Sequence, residues 1–182
     1  MSLIPEQTEP DDGEDGEDLS SFSAPFHILR CLTGCWRCGQ ACKVTAITGM
    51  YQPTAEELGW DPDDTETVWD YDYSNDIPTE PSYLSSIRSL PEELLAPLLK
   101  LNPDFAMADG GYHNFCRCGA RFGEFYLFNE PEGTFAPMEE DHFRAIEVYP
   151  LEVQGTFQID CLSGAGLMGE IIEKGKPMAL PE

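Results

Sequence analysis

The sequence predicts an α+β domain built on a mainly antiparallel sheet, and three observations carry that reading. Short runs rich in β-branched and aromatic residues recur along the chain, bounded by glycine and proline. One leucine-rich segment instead follows a helical period. Two cysteine clusters lie far apart in the chain, each between a turn and a strand-like run, where they can staple the ends of a small sheet. The 182 residues, 41% of them hydrophobic, are enough for one ordinary core, so a single domain over residues 23–182 is expected.

Residues 1–22 are rich in Asp, Glu, Gly and Ser and bury too little apolar surface to offset their ordering entropy, which predicts a disordered acidic tail. "FHILRCL" (26–32) reads as a strand ended by Thr33-Gly34, and "CKVTAITGMY" (42–51) as a second strand. Together they make a hairpin with a cysteine loop at its tip. Residues 52–82 read as a long acidic, aromatic loop with prolines at 53, 62, 78 and 81.

Residues 83–101 read as helical. Pro91-Glu92-Glu93 makes a good first turn, and Leu94, Leu95, Leu98 and Leu101 share one face. "RFGEFYLF" (121–128), "FRAIEVYP" (143–150) and "GTFQIDCL" (155–162) complete the expected strands. No internal repeat shows beyond the two cysteine clusters.

The formal charge of −24 is unevenly spread. Residues 1–24 carry eight acids and no base, and residues 56–80 carry ten acids and no base. Residues 25–55 hold Arg30, Arg37 and Lys43 with no acid at all. Direct binding to nucleic-acid phosphates is therefore disfavoured, and a basic protein partner fits better. No apolar run is long enough to cross a bilayer, so a membrane role is not expected. The first residues lack a basic region and an apolar stretch of the secretory type, so a cytoplasmic protein with reduced thiols is expected. The odd count of seven cysteines also argues against complete disulfide pairing.

The first cluster contains Cys35-Trp36-Arg37-Cys38-Gly39. Two thiolates separated by two residues can grip one metal ion from a tight turn, and the glycine lets the chain turn beneath the sulfurs. The second, Cys116-Arg117-Cys118-Gly119, completes a set of four sulfurs, the number that closes a tetrahedral structural zinc site. One zinc ion held by Cys35, Cys38, Cys116 and Cys118 is the expectation, with Arg37, Arg117 and Arg121 softening the charge. Iron suits four cysteines as well. His113 is the alternative fourth ligand. Cys31, Cys42 and Cys161 read as core cysteines.

Other chemistry is poorly supported. The spacing Cys31-x3-Cys35-x2-Cys38 also matches an iron–sulfur run of radical enzymes, but the chain lacks the alternating βα pattern such enzymes need. A thioredoxin-like pair would precede a helix, whereas a strand follows here. There is no phosphate loop, nucleophile elbow or zinc-protease helix motif, and His27, His113 and His142 stand at no catalytic spacing. The chain is not expected to be an enzyme.

"CWRCGQACKVTAI", "PEELLAPLLKLNPDF" and "GYHNFCRCGARFGEFYLFNEPEGTFAPM" together resemble a group of bacterial zinc-ribbon-like proteins. In that group a CWKCG-type knuckle precedes a helix, and an HCxHCGAxxGDFxLHxEPxGPF-type segment follows. The resemblance covers roughly residues 27–50 and 91–138. It implies a zinc-ribbon-like antiparallel β core with an inserted helix, and a structural metal site at Cys35, Cys38 and Cys118. This chain departs from the pattern at Phe115, which stands where the group has its first cysteine of the second knuckle. Either Cys116 takes over through a CxC geometry, or His113 does, or the fourth ligand is lost.

The function expected from these features is that of a zinc-stapled interaction protein. Its acidic surface would engage a basic partner, as immunity proteins and antitoxins engage toxins. Trp60, Trp69, Asp70, Tyr71, Asp72, Tyr73 and Asp76 are the expected contact residues, aromatic anchors set among carboxylates. The alternatives are a zinc-ribbon accessory of the transcription or translation machinery, and an acidic mimic of DNA.

Overall fold

The structure is a computed structural model that describes residues 19–53, 80–164 and 166–181. Its spine is a long hairpin. Strand β1 (Leu19–Gly34) pairs antiparallel with β2 (Ala41–Gln52), from Ser21 opposite Gln52 to Gly34 opposite Ala41. Their central stretches are buried on both faces, Ile28 and Leu29 in β1 and Val44 to Thr48 in β2, while the ends of β1 are more exposed. The predicted pair and its cysteine tip are therefore observed, but β1 starts earlier than the sequence indicated. Residues 19–22, expected in the acidic tail, pair with a later strand, and Phe22 is wholly buried.

A register shift between Ser23 and His27, around Pro25, divides β1 into two halves. A proline donates no ladder bond, so the strand bends there and offers its outer edge to two partners in turn. The first half pairs with β7 (Thr156–Asp160) and the second with β6 (Glu147–Pro150). On the other side β2 pairs with β3 (Glu80–Ser85), which pairs with β8 (Leu162–Gly164). A two-residue strand, β9 (Lys176–Pro177), runs parallel to β6. The sheet is otherwise antiparallel.

Helix α1 (Glu92–Leu101) starts after Pro91, has Glu92 and Glu93 in its first turn, and buries Leu94, Leu98 and Leu101. It covers one sheet face together with Phe26, Ile28, Ile47, Leu84 and Tyr149. The other face carries Leu29, Val44, Ala46 and Val148. Two short helices, α2 (Glu140–Ala145) and α3 (Met168–Lys174), cover it through Phe143, Met168 and Ile171. Alternation along β2 explains the division: Cys42, Val44 and Ala46 face one cluster, and Ile47 the other.

Several element assignments differ from expectation. The helix expected over 83–101 spans only Glu92–Leu101: residues 83–85 belong to β3, paired between β2 and β8 with Tyr83 and Leu84 buried on opposite faces, and residues 86–91 are irregular. The acidic loop expected over 52–82 is shorter at both ends, since Gln52 closes β2 and Glu80 opens β3. Residues 125–129 form a π-helical turn, not a strand. Phe125 and Tyr126 both point outward and Leu127 alone is buried, a pattern with no two-residue period.

In the segment 143–150, only Glu147–Pro150 is strand. The preceding residues form α2, where Arg144 pairs with Glu140 four residues back at 2.6 Å. A further hairpin, β4 (Phe105–Ala108) with β5 (Gly111–Asn114), turns through Asp109 and Gly110, both at positive φ. Asp-Gly is the signal for that two-residue turn.

Candidate metal centre

Each cysteine pair sits at the end of a two-stranded element. Cys35 and Cys38 cap the β1–β2 hairpin, while Cys116 and Cys118 lie in the turn closed by the Phe115–Arg121 bridge. The two turns are built alike. In the first, the Gly39 N–H donates to the Cys35 carbonyl at 2.8 Å and the Cys35 N–H to the Gln40 carbonyl at 2.9 Å. In the second, the Gly119 N–H donates to the Cys116 carbonyl at 2.7 Å and the Cys116 N–H to the Ala120 carbonyl at 2.8 Å. Gly39 (φ +70) and Gly119 (φ +82) adopt the left-handed conformation that lets each chain return under its sulfurs. The second turn is one residue shorter, so a CxC spacing takes the place of CxxC.

These turns bring four sulfurs within 4.8 Å of one another. Cys35 Sγ lies 3.7 Å from Cys118 Sγ, and Cys38 Sγ lies 3.6 Å from Cys116 Sγ. A disulfide needs about 2.05 Å, so these are thiols, and all seven cysteines are free. A tetrahedral ion with metal–sulfur bonds of about 2.3 Å sets its ligands about 3.8 Å apart, close to these two separations. Each turn supplies one buried sulfur, Cys35 or Cys116, and one exposed sulfur, Cys38 or Cys118. The four cysteines can hold a metal ion.

The electrostatics agree. Burial alone would raise the Cys35 thiol, but N–H groups of Cys38 and Arg37 and the neighbouring thiols bring it down to about 6. Cys38 receives help from the Gln40 backbone, yet lost hydration and the other thiols push it up to about 12. Cys116 is favoured by the Cys118 N–H, but the Cys42 thiol, burial and its partners hold it at about 11. Cys35 ionises readily whereas Cys38 and Cys116 resist, because negative charges this close repel one another. A bound dication would offset that repulsion.

Three connections hold the second turn in place. The Trp36 indole N–H donates to the Arg121 carbonyl at 3.0 Å. The Phe115 N–H donates to the Asp104 carbonyl at 2.9 Å. A buried amide network joins β2, the end of α1 and β5. Within it the Asn114 carbonyl oxygen accepts from the Thr45 N–H at 2.8 Å and from Asn102 Nδ2 at 2.9 Å, while Asn114 Nδ2 donates to the Thr45 carbonyl at 2.9 Å. Asn114 is two residues from Cys116, so the network sets where the second turn begins. Sequence reading missed Trp36, Asn102 and Asn114 as supports. Trp36 was visible inside the first knuckle, whereas nothing local marks the two asparagines.

Among the four-ligand alternatives, Cys116 joins the cluster and His113 does not. The alternation along β5 turns Asn114 inward and His113 to the other face, with its ring against Phe115. Cys42 and Cys161 are buried as expected of core cysteines, and Cys31 is half-buried. Of the arginines expected to soften the site, Arg117 pairs with Asp104 at 3.9 Å and Arg121 with Asp109 at 3.3 Å. Arg37 stacks over the Trp36 ring at 5.1 Å. The expected contact residues Trp60, Trp69, Asp70, Tyr71, Asp72, Tyr73 and Asp76 lie outside the described residues. No helix among the described residues is long and apolar enough to cross a membrane. No protein-family model, curated protein or solved structure matches the chain.

Proposed function

We propose that the protein is a non-enzymatic interaction protein whose fold is stapled by one structural zinc ion in a zinc-ribbon-like arrangement. The observation that carries this reading is the sulfur quartet, four sulfurs within 4.8 Å of one another at the tips of two turns, with two of their separations at 3.6 and 3.7 Å. Four protein ligands leave zinc no open position for a water or a substrate, which is the mark of a structural site. The ion would join two segments whose sulfurs are separated by 78 and 83 residues of chain. The resemblance to bacterial zinc-ribbon-like proteins agrees with this use of the cysteines.

The partner proposed is a basic protein, bound by the acidic surface. Ten carboxylates between Glu56 and Glu80, with no base between Lys43 and Arg88, support that assignment. Such a surface steers a cationic partner at long range, as a cytoplasmic inhibitor of a basic toxin would need.

Two measurements test the proposal. Elemental analysis of purified protein should give one zinc per chain, and a folded, metal-free protein would refute the staple. Surface-immobilised wild type and an Asp70→Asn/Asp72→Asn/Asp76→Asn triple variant should then be compared for association with a basic toxin domain from the same cell. A slower, less salt-dependent association by the variant is expected. Equal rates would remove the acidic surface from the function.

A further inference from the structure

A groove of about 1000 Å³ runs beside the cysteine turns, and its two walls differ in charge. One wall carries Trp36, Arg37 and Arg121 from the turns, and the other carries Tyr126, Glu130 and Glu132 from the segment after them. Trp36 is 68% exposed and Tyr126 64%, large values for rings of their size. Arg37, Glu130 and Glu132 form no ion pair among the described residues. Gly34 and Gly119 also line the groove, and a Cβ at either would meet no atom within 4 Å.

We infer that this groove binds an extended segment of a partner protein, with an acidic side chain toward Arg37 and a basic one toward Glu130 and Glu132. An extended chain sends successive side chains to opposite sides, so a segment lying between these walls meets both signs of charge in alternation. An apolar side chain beside that pair covers the exposed faces of Trp36 and Tyr126. Aromatic rings flanked by charges are the usual anchors of such contacts. A nucleic acid strand is a poor occupant, because its phosphates would face Glu130 and Glu132 on a chain of net charge −24. None of the described residues lining the groove belongs to the acidic stretch 56–80, so either proposal can fail without the other.

The test is selection of a displayed random heptapeptide library against the full-length, metal-loaded protein. Enrichment of sequences with Asp or Glu next to Lys or Arg, flanked by an aromatic or branched aliphatic residue, is expected. Tyr126→Ala should weaken a selected peptide about tenfold or more. Fresh selection against Arg37→Glu should replace the acidic position by Lys or Arg, and against Glu132→Lys the basic position by Asp or Glu, a swap that misfolding cannot produce. Metal content is measured for each variant. If Arg37→Glu loses its metal, Tyr126→Ala and Glu132→Lys, which lie away from the cysteines, carry the result. The Asp70→Asn/Asp72→Asn/Asp76→Asn variant should bind the selected peptides as wild type does. The inference is overturned by a library that does not enrich. It is equally overturned by purely basic peptides insensitive to Tyr126→Ala, which assign binding to the acidic stretch. Self-association abolished by Tyr126→Ala would assign the groove to a second copy of the chain and overturn it too.

Discussion

The Trp36 side chain reaches across 85 residues of sequence to hydrogen-bond the Arg121 carbonyl at 3.0 Å, joining one cysteine turn to the other. The bond lies beside the four sulfurs and ties together the two turns that carry them.

Trp36→Phe keeps the ring and removes the donor. A net hydrogen bond of this kind contributes about 1 kcal/mol, so thermal stability should fall slightly. The larger effect should be on metal retention, because the turns can separate more easily. Transfer of metal to a coloured chelator should be several-fold faster than in wild type, and an unchanged rate would remove Trp36 from the site.

Cys116→Ser and His113→Ala separate the two candidates for the fourth ligand. Structural zinc contributes on the order of 10 kcal/mol to small folds that depend on it. Cys116→Ser should therefore lose the metal and much of its near-ultraviolet circular dichroism. His113→Ala should retain one metal per chain. The reverse result would show that the second turn rearranges when the ion binds.

Asn114→Ala should destabilise more than its small change in volume implies. The Asn114 amide satisfies Thr45 and Asn102, and all three residues are buried. Each polar group left without a partner costs about 1–3 kcal/mol. A loss of about 3 kcal/mol or more in denaturant unfolding is expected, together with weaker metal retention, since the second turn starts two residues later.

The Arg30–Glu147 pair gives acid sensitivity independent of the cysteines. Arg30 Nε lies 2.6 Å from the Glu147 carboxylate, and Tyr149 donates to the same carboxylate at 3.0 Å. Burial works to raise the Glu147 pKa, but these partners more than offset it and hold the group below its usual 4.5. A depressed carboxyl pKa stabilises the fold above the unfolded value, and that contribution is lost as pH falls from about 4.5 through the folded value. In denaturant midpoints, wild type should exceed Glu147→Gln at pH 7, and the gap should narrow below pH 4.5. A gap that stays constant with pH would mean that charge is not what the pair contributes.

The sequence by itself determined what depends on neighbours along the chain. The β1–β2 hairpin, the buried face of α1 after Pro91, and the two cysteine turns are all set by local periodicity, a proline, and glycines placed next to thiols. Tertiary structure decided what depends on remote partners. Residues 83–85 became strand because β2 and β8 flank them, and residues 19–22 left the acidic tail because β7 pairs with them. Between Cys116, the expected ligand, and its alternative His113, Cys116 entered the quartet with the Asn114 amide anchored on Thr45 and Asn102, partners 69 and 12 residues away that nothing local marks. The physical reason is the same in each case. Periodicity and turn chemistry act within a few residues, whereas strand pairing and buried hydrogen bonds select among local options through groups that only folding brings together.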